Sequence, residues 1–322
     1  MHTDISVIIP TYNVESFIDE CLKSIANQTF NGTLECIIVD DCCTDKTIDV
    51  VNKFIDEYNG SFLFKVLRQN RNQGQAAARN KGIAEAKGTY IFFLDSDDFI
   101  TKECLQLLFD ITKKDNKIDL VQAGMDTIWG ETIFSCKDMP DIVNDWKWIK
   151  KKFHLPNGLT PGPCNRLIKR DLINKYNIFF PEGIIYEDVP FTFHLAQHLS
   201  CIAFCNQQTY IYRTRRPGST ITEYNDEKAL DSRIIVLNKL IELIDDKGLS
   251  IQARALMQKL FMYVKIHKIE NLTKHHDDFK QIFNRLQIIM PWYYKIPSMI
   301  YFSLPLNIKK QKITDIVSRY IF

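Results

Sequence analysis

The chain of 322 residues has no GxGxxG after its first strand-like run and no GxxxxGK[ST] anywhere, which weighs against the dinucleotide-binding and P-loop classes. No stretch approaches the roughly eighteen consecutive apolar residues that a membrane-spanning helix needs. The start, MHTDISVIIP, lacks the basic region, long apolar stretch and small-residue cleavage site of a secretory leader. Nine cysteines, at Cys21, Cys36, Cys42, Cys43, Cys104, Cys136, Cys164, Cys201 and Cys205, follow no regular framework, and an odd number leaves at least one thiol unpaired within the chain. A reducing cytosol fits such usage best, so a cytoplasmic location is expected. There is no internal repeat, no low-complexity segment, and nothing that points to nucleic acid as a partner.

An apolar content of 45% allows a sizeable core, and the length suits a large α/β domain with an appendage. The net charge of +2 hides an asymmetry. Residues 1–100 carry nine Lys and Arg against fifteen Asp and Glu, whereas residues 226–322 carry sixteen against ten. The acidic part reads as catalytic and the basic part as a surface binder.

The first hundred residues alternate strand and helix signals. Residues 5–10 (ISVIIP), 34–39 (LECIIV), 62–67 and 90–94 read as short buried strands. Between them, Asn13 is expected to cap an amphipathic helix reaching about Ala26, and further helices are expected over about 44–58 and 75–86. Strands separated by helices predict a parallel, doubly wound sheet, in which ligands gather at the carboxyl ends of the strands. Tyr12, Asp40, Asp41 and the acidic run at 95–98 all fall at such ends. Residues 101–225 are looser, punctuated by Pro and Gly, and are expected to add strands and loops. Beyond Asn225 the stretches IIVLNKLIELI and ARALMQKLFMYVKIHKI have helical apolar spacing.

The most informative segment is FLDSDDFI, residues 93–100, in which Asp95, Asp97 and Asp98 follow a run of strand formers. Carboxylates crowded at a strand end repel one another unless a cation compensates. An oxygen-only cluster suits a hard divalent ion, Mg²⁺ or Mn²⁺, rather than zinc. A nucleoside diphosphate could not approach three carboxylates without such an ion, which would also stabilise the diphosphate as it leaves.

Other segments carry weaker signals. Tyr12 after the first strand can stack on a base, although a surface tyrosine is the ordinary reading of that residue alone. Asp40 and Asp41 after the second strand can accept the imide proton of uracil, or Asp41 or Asp45 can simply cap a helix. Arg79 can aim at phosphates or at the acidic loop, although a solvated helix residue is the ordinary reading of it alone. Glu187 and Asp188 precede a probable helix, where capping alone explains acidic residues, and a general base is the functional alternative. Arg213, Arg215 and Arg216 beside a Gly turn suit a diphosphate, and an exposed basic loop fits the same composition equally well. His194 and His198 lack the intervening Glu of a zinc peptidase motif.

Taken in order, SVIIPTYN, IIVDDCCTD, QAAARNKG, FLDSDD and YEDVPF resemble the signature series of the family 2 inverting glycosyltransferases of bacterial surface-polysaccharide type, which have the GT-A fold. The resemblance covers about residues 5–220. It implies a Rossmann-like, mostly parallel twisted sheet flanked by helices, with a C-terminal helical extension. It implies a catalytic domain over residues 1–225, with nucleotide-sugar binding in 1–100 and the acceptor side in 101–225, and a basic helical region over 226–322. Carried onto this sequence, Pro10 and Tyr12 would line the base pocket, Asp41 would bond the uracil and Arg79 would support the nucleotide. Asp97 would be the direct metal ligand, with Asp95 nearer the ribose and Ser96 between them. Asp188 would be the catalytic base and Glu187 would shape the acceptor pocket, while Arg213 and Arg216 stay candidates for the diphosphate on their chemistry alone. Mn²⁺ or Mg²⁺ is the implied cofactor, a UDP-hexose or UDP-N-acetylhexosamine the donor, and a glycan, free or lipid-linked, the acceptor.

One departure stands out. The family commonly has Gly-Ser or Cys-Ser after the paired aspartates, and here Cys42 and Cys43 stand there, so a non-glycine must satisfy the turn. At the C-terminus, Trp292, Tyr293, Tyr294, Tyr301 and Phe302 lie among Lys295, Lys309, Lys310, Lys312 and Arg319. Such a mixture suits either an anionic membrane surface on the cytoplasmic side or a helical cap on the catalytic domain.

Overall fold

The computed structural model describes residues 2–155, 158–159, 162–214, 225–266 and 274–289. Arg215 and Arg216, and the aromatic and basic tail from Trp292 to Arg319, lie outside the described residues. Contacts divide the chain into two compact units. The first comprises Met1–Trp146, Gly162–Gly183 and His198–Pro217, and the second comprises Lys147–Pro161, Ile184–Gln197 and Gly218–Phe322. The division is therefore not a single cut near 225. Two internal segments leave the first unit: Phe193 of one joins the apolar cluster of C-terminal helices, and Lys150 of the other bonds Asp245 and Gln197.

The first unit opens with β1 (Thr3–Thr11), α1 (Ile18–Ala26), β2 (Leu34–Asp40), α2 (Thr47–Glu57), β3 (Leu63–Arg68), α3 (Gln75–Glu85) and β4 (Gly88–Phe93). β1 pairs in parallel with both β2 and β4, and β2 with β3. Every residue of β2 and the last seven of β1 are buried, which is why these strands read as unbroken apolar runs rather than alternating ones. α3 lies close to the sheet because its inward face is small. A Cβ added at Gly82 would stand 2.4 Å from a methyl of Ile8.

The unit continues through β5 (Phe99–Ile100), α4 (Cys104–Thr112), β6 (Leu120–Thr127), β7 (Thr132–Phe134), β8 (Ile142–Val143), β9 (Arg166–Lys169), α6 (Arg170–Lys175) and β10 (Ile202–Tyr212), with α5 (Trp146–His154) lying between β8 and β9 in sequence. The strand order is β3-β2-β1-β4-β9-β6-β10-β5, with β7 on β6 and β8 on β10. β9 is antiparallel to both β4 and β6 and joins the parallel half to the β6–β10 parallel pair. A mixed sheet with a mostly parallel core and flanking helices is the expected architecture.

The expected cap at Asn13 is not formed. Asn13 has a φ of +48°, its side chain accepts from Thr44 N at 2.8 Å and donates to Thr44 Oγ1 at 3.0 Å, and α1 starts only at Ile18. The asparagine secures the loop after β1 to the loop after β2, a long-range role that a local capping pattern does not reveal.

The second unit contains most of α5, α7 (Asp188–His198) up to Gln197, α8 (Asp226–Glu242), α9 (Leu249–Ile266) and α10 (His276–Ile289). Asn225 caps α8, its side chain accepting from Lys228 N at 2.9 Å. Phe193 joins Leu230, Leu237, Leu256, Leu260 and Leu286 in one apolar cluster. Among the described residues no helix is long and apolar enough to cross a membrane.

Candidate active site

The carboxyl ends of β1, β2 and β4 carry the polar residues of the first unit, because a parallel sheet ends all its strands at one edge. At the end of β4, Leu94 N donates to Ile8 O at 3.1 Å, and Asp98 N closes a turn onto Asp95 O at 3.0 Å. The three aspartates of this turn have separate roles. Asp98 is only 1% exposed, and its two oxygens are occupied by Tyr210 OH at 2.7 Å and Arg213 N at 2.7 Å. Burial and the charges of Asp95 and Asp97 push the Asp98 carboxyl well up, against which the two donors act. Tyr210 also accepts from Asp95 N at 3.2 Å. Burial and the surrounding acids raise its phenol, so it keeps the proton it donates.

Asp95 and Asp97 remain partly exposed. Asp95 Oδ1 accepts from Arg79 Nη2 at 2.8 Å and Gln75 Nε2 at 3.0 Å, both from α3. Arg79 is 3% exposed and its guanidinium stands 5.2 Å over the ring of Phe180, so of the two aims weighed from the sequence it takes the acidic loop. Arg213 donates from Nε to Asp97 O at 2.9 Å, pairs with Glu20 on α1, and lies between the rings of Phe17 and Phe99. It thereby binds the loop to α1.

Among the described residues, no group of three or more His, Cys, Asp and Glu side chains is assembled to hold a metal ion. The donor set nevertheless fits one kind of ion. Asp98 is committed internally, which leaves two partly exposed carboxylates, and Mg²⁺ or Mn²⁺ is commonly held by one or two carboxylates plus phosphate and water oxygens.

At the neighbouring strand ends, Asp41 is 2% exposed and accepts three hydrogen bonds: Gln69 Nε2 at 2.7 Å, Gln73 N at 2.7 Å and Gly74 N at 2.8 Å. It therefore seats the loop that leads into α3, whose N-terminal Gly74 has a φ of +88°. Asp40 accepts from Cys43 N at 2.8 Å and faces Arg68 at 3.4 Å. Cys42 takes the left-handed conformation, φ +63°, that a glycine adopts without strain. Cys43 Sγ reaches Thr11 O at 3.6 Å, and burial pushes its thiol up to about 12. Pro10 is buried within β1 opposite Val39, Ser96 is buried in the acidic turn, and Tyr12 is 43% exposed.

Glu187 and Asp188 belong to the second unit. Asp188 opens α7, and Glu187 is buried with its carbonyl accepting from Phe191 N at 3.4 Å. Tyr186 just before them has a φ of +68°. Residue-level reading of the sequence missed Tyr210, Gln75 and Glu20. Tyr210 stands 112 residues from Asp98, and only its place on β10 brings the two together.

Comparison with known proteins follows the same lines. Residues 6–176 match the model of Glycosyl transferase family 2. Glycosyltransferase GlyG of Streptococcus pneumoniae is 28% identical over 85% of this chain and 93% of its own length. Poly(ribitol-phosphate) beta-glucosyltransferase of Bacillus spizizenii is 34% identical over 66% of this chain but only 33% of its own length, so the chain spans about a third of that relative. In three dimensions the chain resembles Staphylococcus aureus TarS 1–349 crystallised with UDP-GlcNAc, with a TM-score of 0.69 and 21% identity, covering 99% of this chain and 90% of that one.

Proposed function

The chain belongs to glycosyl transferase family 2 and is a glycosyltransferase, and from that premise we propose that it moves a hexose or N-acetylhexosamine, with inversion, from a UDP-sugar to a hydroxyl of a cell-surface glycan. The observation that carries the reading is the division of labour in the acidic turn. Asp98 is consumed by Tyr210 and Arg213, while Asp95 and Asp97 are left partly exposed at the end of β4.

Asp97, with Asp95 beside it, would hold Mn²⁺ or Mg²⁺, which when bound neutralises the departing diphosphate. Tyr12 stacks on the base at the end of β1, next to Pro10. Asp41 seats the loop at Gln73 and Gly74, and its remaining acceptor capacity takes the imide of uracil. Arg79 fixes Asp95 on the ribose side, and Ser96 keeps the turn tight. Arg213 holds the turn in place, and Arg216 further along the same segment adds positive charge for the diphosphate. Asp188 takes the proton of the glycan hydroxyl as its oxygen bonds to the anomeric carbon and the bond to the diphosphate breaks. Glu187 shapes the pocket for the glycan acceptor. A lipid-linked glycan and contact of the C-terminal tail with an anionic membrane on the cytoplasmic side complete the reading, as in capsule, lipopolysaccharide or O-antigen assembly.

A panel of nucleotide sugars with Mn²⁺, read as release of nucleoside diphosphate, tests it. UDP should appear with one or a few UDP-sugars and fall steeply in Asp97→Asn and Asp188→Asn. Release of pyrophosphate would instead make the chain a nucleotidyltransferase, and UDP binding without turnover would make it a binding module.

A further inference from the structure

The segment that carries Glu187 and Asp188 is bent into a conformation that a residue with a side chain avoids unless its neighbours impose it, at Tyr186 with its φ of +68°. The neighbours that impose it come from helices beyond the part of the chain matched by the family, which ends at residue 176. Ser232 Oγ on α8 accepts from Ile185 N at 3.2 Å. The next residue, Arg233, donates from Nη2 to Tyr186 OH at 3.1 Å, and its guanidinium lies 4.6 Å over the Tyr186 ring. The same guanidinium lies 5.1 Å over the ring of Tyr263 on α9, so one cation is flanked by two aromatic faces from different elements. Ile184, Tyr186 and Val189 pack on the apolar cluster of α8, α9 and α10. Each of these contacts is within the helical unit.

Charge follows the same pattern. Lys259 and Tyr263 from α9 both feel the charge of Asp188, and Arg233 from α8 and Tyr186 on the pair's own segment also act on Tyr263. Burial lowers the Lys259 ammonium and the Asp188 carboxylate raises it back, so the two sense one another. Tyr263 is pushed up to about 12 by burial, with Asp188 adding to the effect and Arg233 opposing it, so it stays protonated at neutral pH.

We propose that Arg233, with Ser232 and Tyr263, is a positioning residue for the Glu187–Asp188 pair, and that the C-terminal helices are thus part of the transfer machinery rather than an appended cap. This rests on Asp188 being the base. It identifies a guanidinium outside the five sequence motifs as the group that aims that base, through the ring and hydroxyl of Tyr186.

The test uses the full chain, the UDP-sugar that the panel shows to be turned over, and four variants: Arg233→Met, Arg233→Lys, Tyr186→Phe and Asp188→Asn. Arg233→Met and Tyr186→Phe should each lower kcat about tenfold or more while the donor KM and the UDP Kd stay within about twofold, because a misaimed base loses rate and not donor affinity. Arg233→Lys keeps the charge but not the planar stacking and should fall in between. Hydrogen exchange at residues 184–189 should speed up in Arg233→Met while β1 to β4 exchange as before. Tyr186→Phe removes one hydroxyl and preserves the test if Arg233→Met does not fold. Wild-type kcat in Arg233→Met or Tyr186→Phe overturns the proposal, as does a loss of UDP binding in step with kcat. Wild-type kcat in Asp188→Asn with accelerated exchange in Arg233→Met would refute the base and leave the clamp as structure only.

Discussion

The two acidic segments of this protein are built in different ways. The turn at Asp95–Asp98 is held by hydrogen bonds and ion pairs from α3, α1 and β10, with one carboxylate buried to secure the other two. The segment carrying Glu187–Asp188 is held beside the pair, where two hydrogen bonds from α8, a guanidinium near two aromatic rings and an apolar cluster fix a strained backbone. On the proposed roles, the comparison teaches that carboxylates that would hold a cation are fastened through a third, buried carboxyl, whereas a carboxylate that would take a proton is aimed through the backbone beside it.

The largest expected effect is on the second segment. Asp188→Asn should lower transfer by about 10² to 10⁴-fold with UDP affinity unchanged, since general-base assistance is worth that much. Calorimetric titration with UDP beside the rate assay would separate loss of the base from loss of the fold. On the first segment, Asp97→Asn should lower transfer on the order of 10³-fold and abolish any rise in Tm that Mn²⁺ and UDP give the wild type. If Mn²⁺ still stabilised that variant, the turn would not be the cation site.

Tyr210→Phe removes a donor from the buried Asp98 and should destabilise the first unit by about 1–3 kcal/mol, read by urea unfolding. No such loss would mean that Asp98 is not the fastening group. In the helical unit, His154 on α5 is 2% exposed, rests 4.1 Å from the Phe193 ring, and has no hydrogen-bond partner on either ring nitrogen among the described residues. Burial, with Lys150 and Lys259 adding to it, lowers its imidazole from 6.5 to about 3. The unfolded chain then binds the extra proton first, so this contribution to stability is intact above pH 6.5 and is lost as pH falls from there to about 3. His154→Leu should flatten that part of the Tm–pH curve. The smallest effect is at Cys42→Gly, where relief of the left-handed strain should raise Tm by about 2–4 °C if it is worth about 1 kcal/mol.

Much of the first unit was legible in the chain. Buried parallel strands announce themselves as apolar runs, and the acidic residues at their ends mark the edge where the sites gather. Strand boundaries shifted by a residue or two, the second helix began three residues late at Thr47, and Asn13 was misread because its partner, Thr44, lies in another loop. The exchange of residues between units was not legible, because neither the amphipathic pattern of α5 nor the largely buried α7 says which core it joins.

The sequence by itself determined the strand–helix alternation, the acidic turn and the order of the motifs, since local periodicity and residue chemistry set these. Only the tertiary structure decided that Asp98 secures the turn while Asp95 and Asp97 stay partly exposed, and that Arg233 grips Tyr186. The physical reason is distance along the chain. Tyr210 lies 112 residues from Asp98 and Arg233 lies 47 from Tyr186, and no local pattern encodes which remote side chain will complete a buried charge or hold a strained turn.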